Sequence, residues 1–591
     1  MRYAWLIAAA VVAVYANSLP GPLIFDDRAT IIDNGTIEDL ASSRVLEPPH
    51  ETSVAGRPVA NVSFAVNYAL GDRAVTGYHV VNIAIHALCA LAIFGIARRS
   101  RLPDTAAAAV ALVWAVHPLN TEAVDYLTQR TESLMALFYL TTLYSAIRAA
   151  GDRASRWRWT VAAIAACALG MATKESMVTA PLVVVLYDRV FLFPSLREAV
   201  RKRAPLYIGL AATWLLLAAL VWNGPRSQSA GFAAHDAHAL TYLLNQAVMI
   251  VRYLRLAVWP RDLVLYYGWP AQLSPADVWP QLLGVAILLA CTVWALWRGP
   301  RLGSSTSLRA GFLGAWFFLT LAPTSSIVPI ATEVGAERRM YLPLVALAAL
   351  GVMVVRTLVQ SPRLRAGILA AVTIALGAGT LARNIDYRSS LRLAETTAER
   401  WPSPAGESML GVELAAAGRL SEAEQHLRSA AATHPPARYY LGTVLAAQNR
   451  PGEAIAPFRS FIAGQPPELE QVRLAHRELA AALLKTNNAD EAAAEYRLVL
   501  AADPGDANSM VQLSQILLRQ ERFADAIVIL RQLTTARPGD GWGFGALGIA
   551  LASSGRIDEA IEAFRRQVDV DPQNEHARQN LARALAMRGG Q

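Results

Sequence analysis

Cysteine is scarce in this chain, with three in 591 residues. Cys89, Cys167 and Cys291 lie far apart, each within an apolar segment. A disulfide framework needs paired cysteines and a cysteine metal site needs clustered ones, so the sequence supports neither. No stretch has zinc-ligand spacing, and His79 and His86, two helical turns apart, suit hydrogen bonds between helices better than metal binding. We therefore assign no metal ligands, and leave open whether a divalent metal takes part.

Charged residues are also few, at 17% of the chain against 54% hydrophobic residues. With a mean hydropathy of +0.30, this composition excludes an ordinary soluble protein of several domains and indicates a membrane part. The net charge of +8 raises the question of a nucleic-acid partner. However, the basic residues sit in short loops between apolar runs rather than in one stripe, so we predict no nucleic-acid partner.

Eleven apolar segments are about as long as a membrane-spanning helix requires. We therefore predict an all-α fold whose residues 1–395 form a polytopic membrane helix bundle. The stretch 235–262 carries Arg252 and Arg255 among apolar residues at helical spacing, which suits a helix lying in the membrane interface. The predicted spans are near residues 4–20, 78–97, 104–118, 132–150, 157–173, 176–194, 205–223, 278–297, 310–327, 340–357 and 366–382.

Basic residues concentrate in alternate connectors between these segments, which predicts that those connectors are cytoplasmic. With an odd number of spans, the chain after residue 382 and the loop carrying Asp26 and Asp27 then lie outside the cytoplasm. The first segment could instead be a cleaved signal, and that loop would still be exported. The basic residues are Arg98, Arg99, Arg101, Arg148, Arg153, Arg156, Arg158, Arg197, Arg201, Lys202, Arg203, Arg298, Arg301, Arg309, Arg356, Arg363 and Arg365.

Residues 400–591 are polar, alanine-rich and repetitive. Equivalent alanines are separated by 31, 38, 34 and 34 residues; each has a small residue twelve positions earlier and a proline twelve later. This period predicts about five tetratricopeptide repeats (TPRs) forming an α-solenoid, with a concave surface that suits protein binding. The alanines are Ala423, Ala454, Ala492, Ala526 and Ala560; the small residues are Gly411, Gly442, Ala480, Ser514 and Gly548; the prolines are Pro435, Pro466, Pro504, Pro538 and Pro572.

Polar residues gather at span ends that the predicted topology places outside the cytoplasm. Cations and carboxylates together at a bilayer edge suit a lipid phosphate on one side and a reacting hydroxyl on the other. The repeats show no nucleophile or metal cluster, so we expect any chemistry at these span ends. The candidates are Asp26, Asp27, Arg57, His117, Glu122, Arg130, Lys174, Glu175, Glu337, Arg338, Arg339 and Tyr341.

Several motifs occur in a specific order: "FDDRA", "RPVANVSFAVNYALG", "HPLNTEAV", "TKESMVTAPLVVVLYD", "RYLRLAVWP" and "ERRMYLP", followed by the repeats. Together they resemble the transmembrane and tetratricopeptide-repeat (TMTC) proteins over nearly the whole chain. The resemblance implies a GT-C type, inverting glycosyltransferase that takes a sugar from a polyprenyl-phosphate carrier to an extracytoplasmic acceptor. In eukaryotic members it implies O-mannosylation of protein hydroxyls, with mannose as the sugar.

The alanine- and arginine-rich composition is typical of a bacterium with GC-rich DNA. This predicts a bacterial inner-membrane protein with periplasmic repeats, an undecaprenyl-type carrier and membrane lipids as further partners. A protein acceptor, bound at its Ser or Thr hydroxyls, would dock in the TPR groove. The motif "HPLNTEAV" has Asn120 where relatives often carry histidine, which is a departure from the family pattern.

The resemblance implies that the acidic pair supplies the catalytic base. Neighbouring side chains point in different directions, so only one of the pair faces the acceptor. We favour Asp26 as the base and Asp27 as an orienting residue, with the order left open. By position, Arg339 and Lys174 would hold the carrier phosphate. Apart from these two and the acidic pair, the other eight candidates would bind phosphate or substrate.

Simpler interpretations compete with these assignments. Asp26 and Asp27 could be a solvated helix flank. Arg338 and Arg339 could anchor a span at the lipid head groups, and Lys174 with Glu175 could be only an ion pair. The whole chain could be a non-enzymatic, membrane-anchored TPR scaffold for envelope assembly or protein export, in which these polar clusters tolerate substitution. A lipid-linked sugar flippase or polymerase would place ionisable residues in the middle of spans, whereas these lie at span ends.

Overall fold

The computed structural model describes residues 2–151, 154–222, 239–299, 305–326, 330, 332–467 and 469–589. Arg153 and Arg301 of the predicted cytoplasmic connectors lie outside the described residues. The chain divides into two compact units, Met1–Gly406 and Glu407–Gln591. Every regular element of the described residues in both units is helical.

The first unit contains fifteen α-helices among its described residues, joined by short 3-10 and π-helical turns. The α-helices are α1 Arg2–Tyr15, α2 Pro58–Gly71, α3 Val75–Arg99, α4 Asp104–Ala115, α5 Thr121–Asp125, α6 Arg130–Gly151, α7 Arg156–Met171, α8 Ala180–Tyr187, α9 Leu196–Val221, α10 Ala239–Val258, α11 Pro275–Arg298, α12 Ser305–Leu321, α13 Pro343–Leu358, α14 Pro362–Asp386 and α15 Ser390–Arg400. The turns are Ala16–Ser18, Arg28–Ile32, Gly35–Ile37, Ser43–Leu46, Pro118–Asn120, Leu127–Gln129, Glu175–Thr179, Asp188–Leu192 and Glu337–Met340.

Five described helical segments are long and apolar enough to cross a membrane: α3, α6 with its preceding turn, α9, α11 and α14. A sixth exists if α4 and the bent stretch after it count as one span. Several of the eleven predicted segments form shorter helices, such as α1 with 14 residues and α13 with 16. The count of eleven and the interfacial placement of α10 therefore stay predictions.

The core of the first unit lies around α3, α4 and α6. Trp114 of α4 and Tyr139 of α6 are among its large buried side chains, and α1, α7 and α13 pack against this centre. The outer helices α9, α11 and α14 expose apolar side chains along most of their length. A helix that is apolar on its outer side suits contact with lipid.

A sharp bend separates α4 from the helical stretch Pro118–Asp125, at an angle of 55°. Proline cannot continue the hydrogen-bonding ladder of the preceding helix, so the chain turns at His117–Pro118. The bend brings Glu122 and the following Tyr126 onto the end of the bundle where the first loop, residues 16–57, also lies. This end of the bundle carries the candidate site.

The second unit is built from helix pairs that follow the predicted repeat. All five predicted alanines are 0% exposed, and a Cβ added at Gly442 or Gly548 would lie 2.6 or 2.5 Å from the ring of Phe458 or Phe564. The small residues therefore allow the close helix approach that the sequence predicts. Its helices are α16 Pro404–Ala416, which begins in the first unit, α17 Leu420–Ala431, α18 Pro435–Ala447, α19 Pro451–Ile462, α20 Glu470–Lys485, α21 Ala489–Ala502, α22 Ala507–Arg519, α23 Phe523–Ala536, α24 Gly541–Ser553, α25 Ile557–Val570 and α26 Glu575–Gly589.

Candidate functional site

The two acids of the first loop have opposite environments. The side chain of Asp26 is exposed and accepts a hydrogen bond from Ser53 Oγ at 2.6 Å. Asp27 is fully buried: its Oδ1 accepts from the backbone N and the Oγ1 of Thr128, both at 2.7 Å, and its Oδ2 accepts from Ile24 N at 3.0 Å. Burial raises the pKa of Asp27 to about 7, against the lowering effect of these hydrogen bonds. Asp27 therefore ties the loop down, and Asp26 is the acid that a substrate can reach.

The backbone that presents Asp26 is held in an unusual conformation. Phe25 has a φ of +44°, a region that residues with a side chain adopt at a cost. Two contacts maintain it: Asp26 N donates to the Tyr126 hydroxyl at 2.9 Å, and the Phe25 ring meets the Tyr126 ring edge to face at 6.4 Å between centroids. The conformation turns the Asp26 carboxylate outward while Asp27 points inward.

Arg57 joins the first loop to the connector after α7. Its Nη2 and Nε donate to the two carboxylate oxygens of Glu175 at 2.7 and 3.3 Å, and its Nη1 donates to the Ser53 carbonyl at 2.7 Å. Ser53 thus bonds Asp26 through its hydroxyl and Arg57 through its carbonyl. Ser53 therefore links the Asp26 carboxylate to the Arg57 guanidinium.

Lys174 lies next to this pair. Its Nζ donates to Glu132 Oε2 at 2.7 Å, and both side chains are buried. Burial lowers the pKa of Lys174 to about 8; Glu132 opposes that shift, whereas Arg57 and Arg338 are close enough to add to it. Arg57, Lys174 and Arg338 therefore form one group, which we call the cation cluster.

Arg338 comes from the turn that precedes α13, far along the chain from Arg57 and Lys174, and is fixed by two carboxylates. Its Nη1 donates to Glu122 Oε1, its backbone N donates to Glu122 Oε2 at 2.8 Å, and its Nη2 donates to Glu333 Oε2 at 2.6 Å. Burial alone would raise the pKa of Glu333, but Arg338 and Arg339 outweigh it and the pKa falls below its ordinary value. Glu333 is therefore a carboxylate at neutral pH, and its charge keeps the guanidinium in place.

Taken together, the geometry brings four distant segments to one end of the bundle. Arg57 and Glu175 are 118 residues apart in sequence, and Glu122 and Arg338 are 216 apart. The result is an exposed carboxylate linked through Ser53 to Arg57, together with three cations that are each paired with a carboxylate, of which Glu122 and Glu132 are buried. Such a set can accept a proton from a hydroxyl and stabilise charge on a leaving phosphate. Among the described residues, no group of three or more His, Cys, Asp or Glu side chains is arranged to hold a metal ion.

Arg130 and His117 are not brought into this group. The Arg130 guanidinium is fully buried and donates to Asn82 Oδ1 at 2.7 Å and to two backbone carbonyls, with its Cζ 4.5 Å from the centre of the Phe64 ring. His117 accepts from Leu119 N at 3.2 Å and contacts the Ala257 carbonyl at 3.1 Å. Both side chains therefore hold the bend and its neighbours together.

Tyr341 and Glu337 also face the protein rather than the cluster, and Arg339 contacts the cluster only through Glu333, whose Oε2 accepts from Arg339 Nη2 at 3.2 Å. The Tyr341 hydroxyl is 2.6 Å from His86 Nδ1 inside a buried aromatic group. Arg339 donates to the carbonyls of Thr324 and Glu333, both at 3.0 Å, so its guanidinium braces the backbone. Burial raises the pKa of Glu337 to about 8, with Arg383 opposing and Glu122 adding to the shift. Of the residues predicted for phosphate binding, Arg339 is thus the one most fully occupied by the protein itself.

Sequence reasoning missed four residues of the site: Ser53, Tyr126, Glu132 and Glu333. Glu132 and Glu333 flank predicted motifs and could have been found by asking which carboxylate balances each buried cation. Ser53 and Tyr126 each make one hydrogen bond with Asp26, Ser53 with its carboxylate and Tyr126 with its backbone N. The sequence carries no distinct signal for either contact.

Comparison with family models gives matches in both units. Residues 57–222 match the model of the dolichyl-phosphate-mannose-protein mannosyltransferases. Residues 408–468, 483–542 and 546–590 match tetratricopeptide-repeat models. The first stretch includes Arg57, Lys174 and their carboxylate partners, and begins after Asp26 and Asp27.

Several curated proteins named as protein O-mannosyl-transferases are similar to this chain. Protein O-mannosyl-transferase Tmtc1 of Drosophila melanogaster is 26% identical over 525 residues, covering 71% of this chain and 60% of that protein. Protein O-mannosyl-transferase TMTC3 of Mus musculus is 29% identical over 196 residues, covering 31% and 21%. The chain thus spans between about a fifth and three fifths of these two relatives. Among solved structures, YrrB, described as a TPR protein with an unusual peptide-binding site, is 17% identical with a TM-score of 0.29, covering 31% of this chain and 95% of its own.

The chain therefore combines a segment of the lipid-phosphate mannosyltransferase type with TPR repeats. It is a distant homologue of the TMTC protein O-mannosyl-transferases, as the order of its motifs predicts.

Proposed function

We propose that this protein is an integral membrane glycosyltransferase that moves a sugar, mannose in our proposal, from a polyprenyl-phosphate carrier to Ser or Thr hydroxyls of a protein outside the cytoplasm. The observation that carries the proposal is the exposed Asp26 carboxylate, linked through Ser53 to Arg57 of the cation cluster. The homology to enzymes that are named for O-mannosyl transfer supports the same chemistry.

Each part of the site has a task in such a transfer. The acceptor hydroxyl attacks the anomeric carbon of the sugar while Asp26 takes the hydroxyl proton. The bond between that carbon and the phosphate oxygen breaks, and the phosphate leaves with the bonding electrons. Arg57, Lys174 and Arg338 stabilise the charge that grows on the phosphate, because they are held in place before the reaction begins. Attack opposite to the leaving phosphate inverts the configuration at the sugar carbon.

The direct experiment uses the purified full chain in lipid nanodiscs, with a polyprenyl-phosphate mannose donor and a peptide rich in Ser and Thr. We expect a hexose added to the peptide, detected by mass spectrometry, and no addition by the Asp26→Asn variant. Absence of any transfer with polyprenyl donors would oppose the proposal. So would unchanged modification of exported proteins and glycolipids in cells that lack the chain.

The orientation is part of the proposal, because the arginine-rich connectors are expected on the cytoplasmic side. A reporter that is active only outside the cytoplasm, fused after Gln591, should be active. Activity of a cytoplasmic reporter at that position would place the repeats and the site on the wrong side for an exported acceptor. The alternative of a non-enzymatic TPR scaffold predicts that Asp26→Asn leaves every cellular phenotype unchanged.

A further inference from the structure

Behind the cation cluster lies a second group of buried polar side chains that the proposed transfer does not use. Five of them, each between 0 and 4% exposed, come from α1, α5, the turn before α13, and the end of α14 with the residue after it. We call this group the inner chamber; its members are Tyr15, Asp125, Glu337, Arg383 and Tyr387.

The members of the inner chamber lie close together, but several of their polar atoms make no hydrogen bond with one another. Arg383 Nη2 is 3.9 Å from Glu337 Oε2, which is too long for a hydrogen bond, and Arg383 Cζ is 5.2 Å from the centre of the Tyr387 ring. Asp125 is within electrostatic range of Tyr15 and Arg383. The five side chains therefore form one contiguous buried group.

Seven polar atoms of this group have no hydrogen-bond partner among the described residues. Four can donate, namely the two tyrosine hydroxyls and Arg383 Nε and Nη2; three can accept, namely both oxygens of Asp125 and Glu337 Oε2. Ser18 lies beside Asp125, but its hydroxyl donates to the Tyr15 carbonyl at 2.7 Å. Buried polar groups in proteins almost always have partners, so such a concentration needs a specific cause.

The mixture of donors and acceptors indicates the kind of ligand. A bare cation would meet the Arg383 guanidinium. An anion would find that guanidinium already paired with Asp386 Oδ2 at 3.1 Å. Water both donates and accepts, and it commonly bridges polar groups that are more than 3.5 Å apart. A buried water makes about three hydrogen bonds, so seven atoms suit on the order of two or three waters.

We propose that the inner chamber binds a cluster of ordered waters that bridges Asp125, Glu337, Arg383 and the two tyrosines. The cluster would also help to position the cation cluster. Glu337 is held on one side by Val264 N, which donates to its Oε1 at 2.6 Å, and on the other by the chamber. Glu337 directly precedes Arg338, so the waters fix the start of the turn that carries this cation. The water site stands without the proposed function; only its effect on donor binding rests on it.

The first test is a structure of the purified full chain in nanodiscs at a resolution that shows water. We expect two or more density peaks within hydrogen-bond distance of Asp125, Glu337 and Arg383. A chamber without density would overturn the proposal. A single strong peak with five or more close oxygen ligands, which is a bound cation, would overturn it as well.

The second test uses the sign of a stability change. If the Tyr387 hydroxyl bonds water, Tyr387→Phe should lower the apparent melting temperature by a few degrees, on the order expected for one lost hydrogen bond. If the chamber is dry, the same change removes an unpaired buried hydroxyl, and the melting temperature should rise. Tyr253→Phe is the matched control, because the Tyr253 hydroxyl accepts from Ala336 N at 2.8 Å and its loss should lower the temperature. A rise for Tyr387→Phe beside a fall for Tyr253→Phe would refute the water cluster.

Discussion

Ion pairs in the two units differ in how far water reaches them. In the first unit, the side chains of Lys174 and Glu132 are 9% and 6% exposed. In the repeat unit, those of Arg531 and Glu559 are 51% and 44% exposed. Both pairs have short nitrogen-to-oxygen distances, so geometry alone does not distinguish them.

The difference in exposure implies different contributions of the two kinds of ion pair. Exposed pairs are screened by water and contribute little, so the ion pairs between repeats shape the surface of the solenoid without holding it together. Buried pairs are expensive to desolvate, and an apolar pair would often be at least as stable. Two pairs with little exposure, Lys174 with Glu132 and Arg338 with Glu122, belong to the cation cluster, and the proposed function gives them a role that stability alone does not require.

Among the cations of the cluster, Arg338 should give the largest effect on transfer when it is replaced. Arg338→Ala should lower the kcat/KM for the lipid-linked donor by about 10²–10³, because one preorganised cation is lost from the leaving phosphate. The kcat/KM of Arg338→Lys should lie between those of the wild type and Arg338→Ala. Lysine keeps the positive charge but loses the forked geometry of the guanidinium. Donor-dependent transfer rates measure both effects.

The control for Arg338 is Arg531→Ala, an equal loss of charge at an exposed pair of the repeat unit. Its transfer rate should match that of the wild-type protein when acceptor is saturating. Equal donor kinetics for Arg338→Ala and Arg531→Ala would show that burial of an ion pair does not distinguish the residues that take part in transfer.

A second change tests the cost of a broken buried pair. Lys174→Met leaves Glu132 buried without its cation and should lower the free energy of unfolding by about 3–5 kcal/mol. The double variant Lys174→Met with Glu132→Gln should recover most of that loss, because no isolated charge is left. Denaturant unfolding in detergent micelles measures both. A double variant as unstable as the single one would mean that packing, not charge, explains the loss.

Asp27→Asn should have a moderate effect on stability. The amide replaces one accepting oxygen by a donor, which then faces a donor at Ile24 N or at Thr128. A buried hydrogen bond lost in this way costs about 1–3 kcal/mol in the free energy of unfolding. The same unfolding assay applies, and a fully neutral substitution would show that Asp27 does not anchor the loop.

Asp27 also predicts a pH dependence of stability. Its pKa is raised on folding from the ordinary value of 3.8 to about 7, so the folded protein binds more protons than the unfolded chain between these values. Its contribution to stability is therefore fully present below about pH 4 and is lost as the pH rises to about 7. The difference in unfolding free energy between wild type and Asp27→Asn should shrink over that window. A difference that grows with pH would contradict the assignment of burial as the dominant cause.

The smallest effect belongs to the exposed pair itself. Arg531→Ala should change the apparent melting temperature by no more than about 1–2 °C, and added salt should remove even that difference. A larger, salt-resistant change would place exposed ion pairs among the forces that hold the repeats together.

Features that depend on local periodicity were predictable from the sequence. The repeat alanines are all buried and the small residues do face large side chains such as Phe458, because helix spacing determines which positions meet inside a repeat. The loops and turns that carry Asp26, Arg57, Glu122 and Lys174 could be located as polar stretches between apolar segments.

Partners over long sequence distances could not be predicted. Arg130 and Arg338 look alike by position, since each is a basic residue at a predicted external span end. Only the fold shows that Arg130 is enclosed by carbonyls and the Phe64 ring, whereas Arg338 is held by Glu122 from a segment 216 residues away. The alternation of side chains separated Asp26 from Asp27 but could not say which one is exposed.

The central claim is that Asp26 is the base and that Asp27 anchors the loop that carries it. Measuring both activity and stability for both variants tests this claim most directly. Transfer from lipid-linked sugar and the free energy of unfolding should be measured together for Asp26→Asn and Asp27→Asn. We predict that Asp26→Asn lowers the rate by about 10²–10⁴ with normal stability, as loss of a general base does, while Asp27→Asn mainly lowers stability. A normal rate for Asp26→Asn in a folded protein that binds donor would contradict the account.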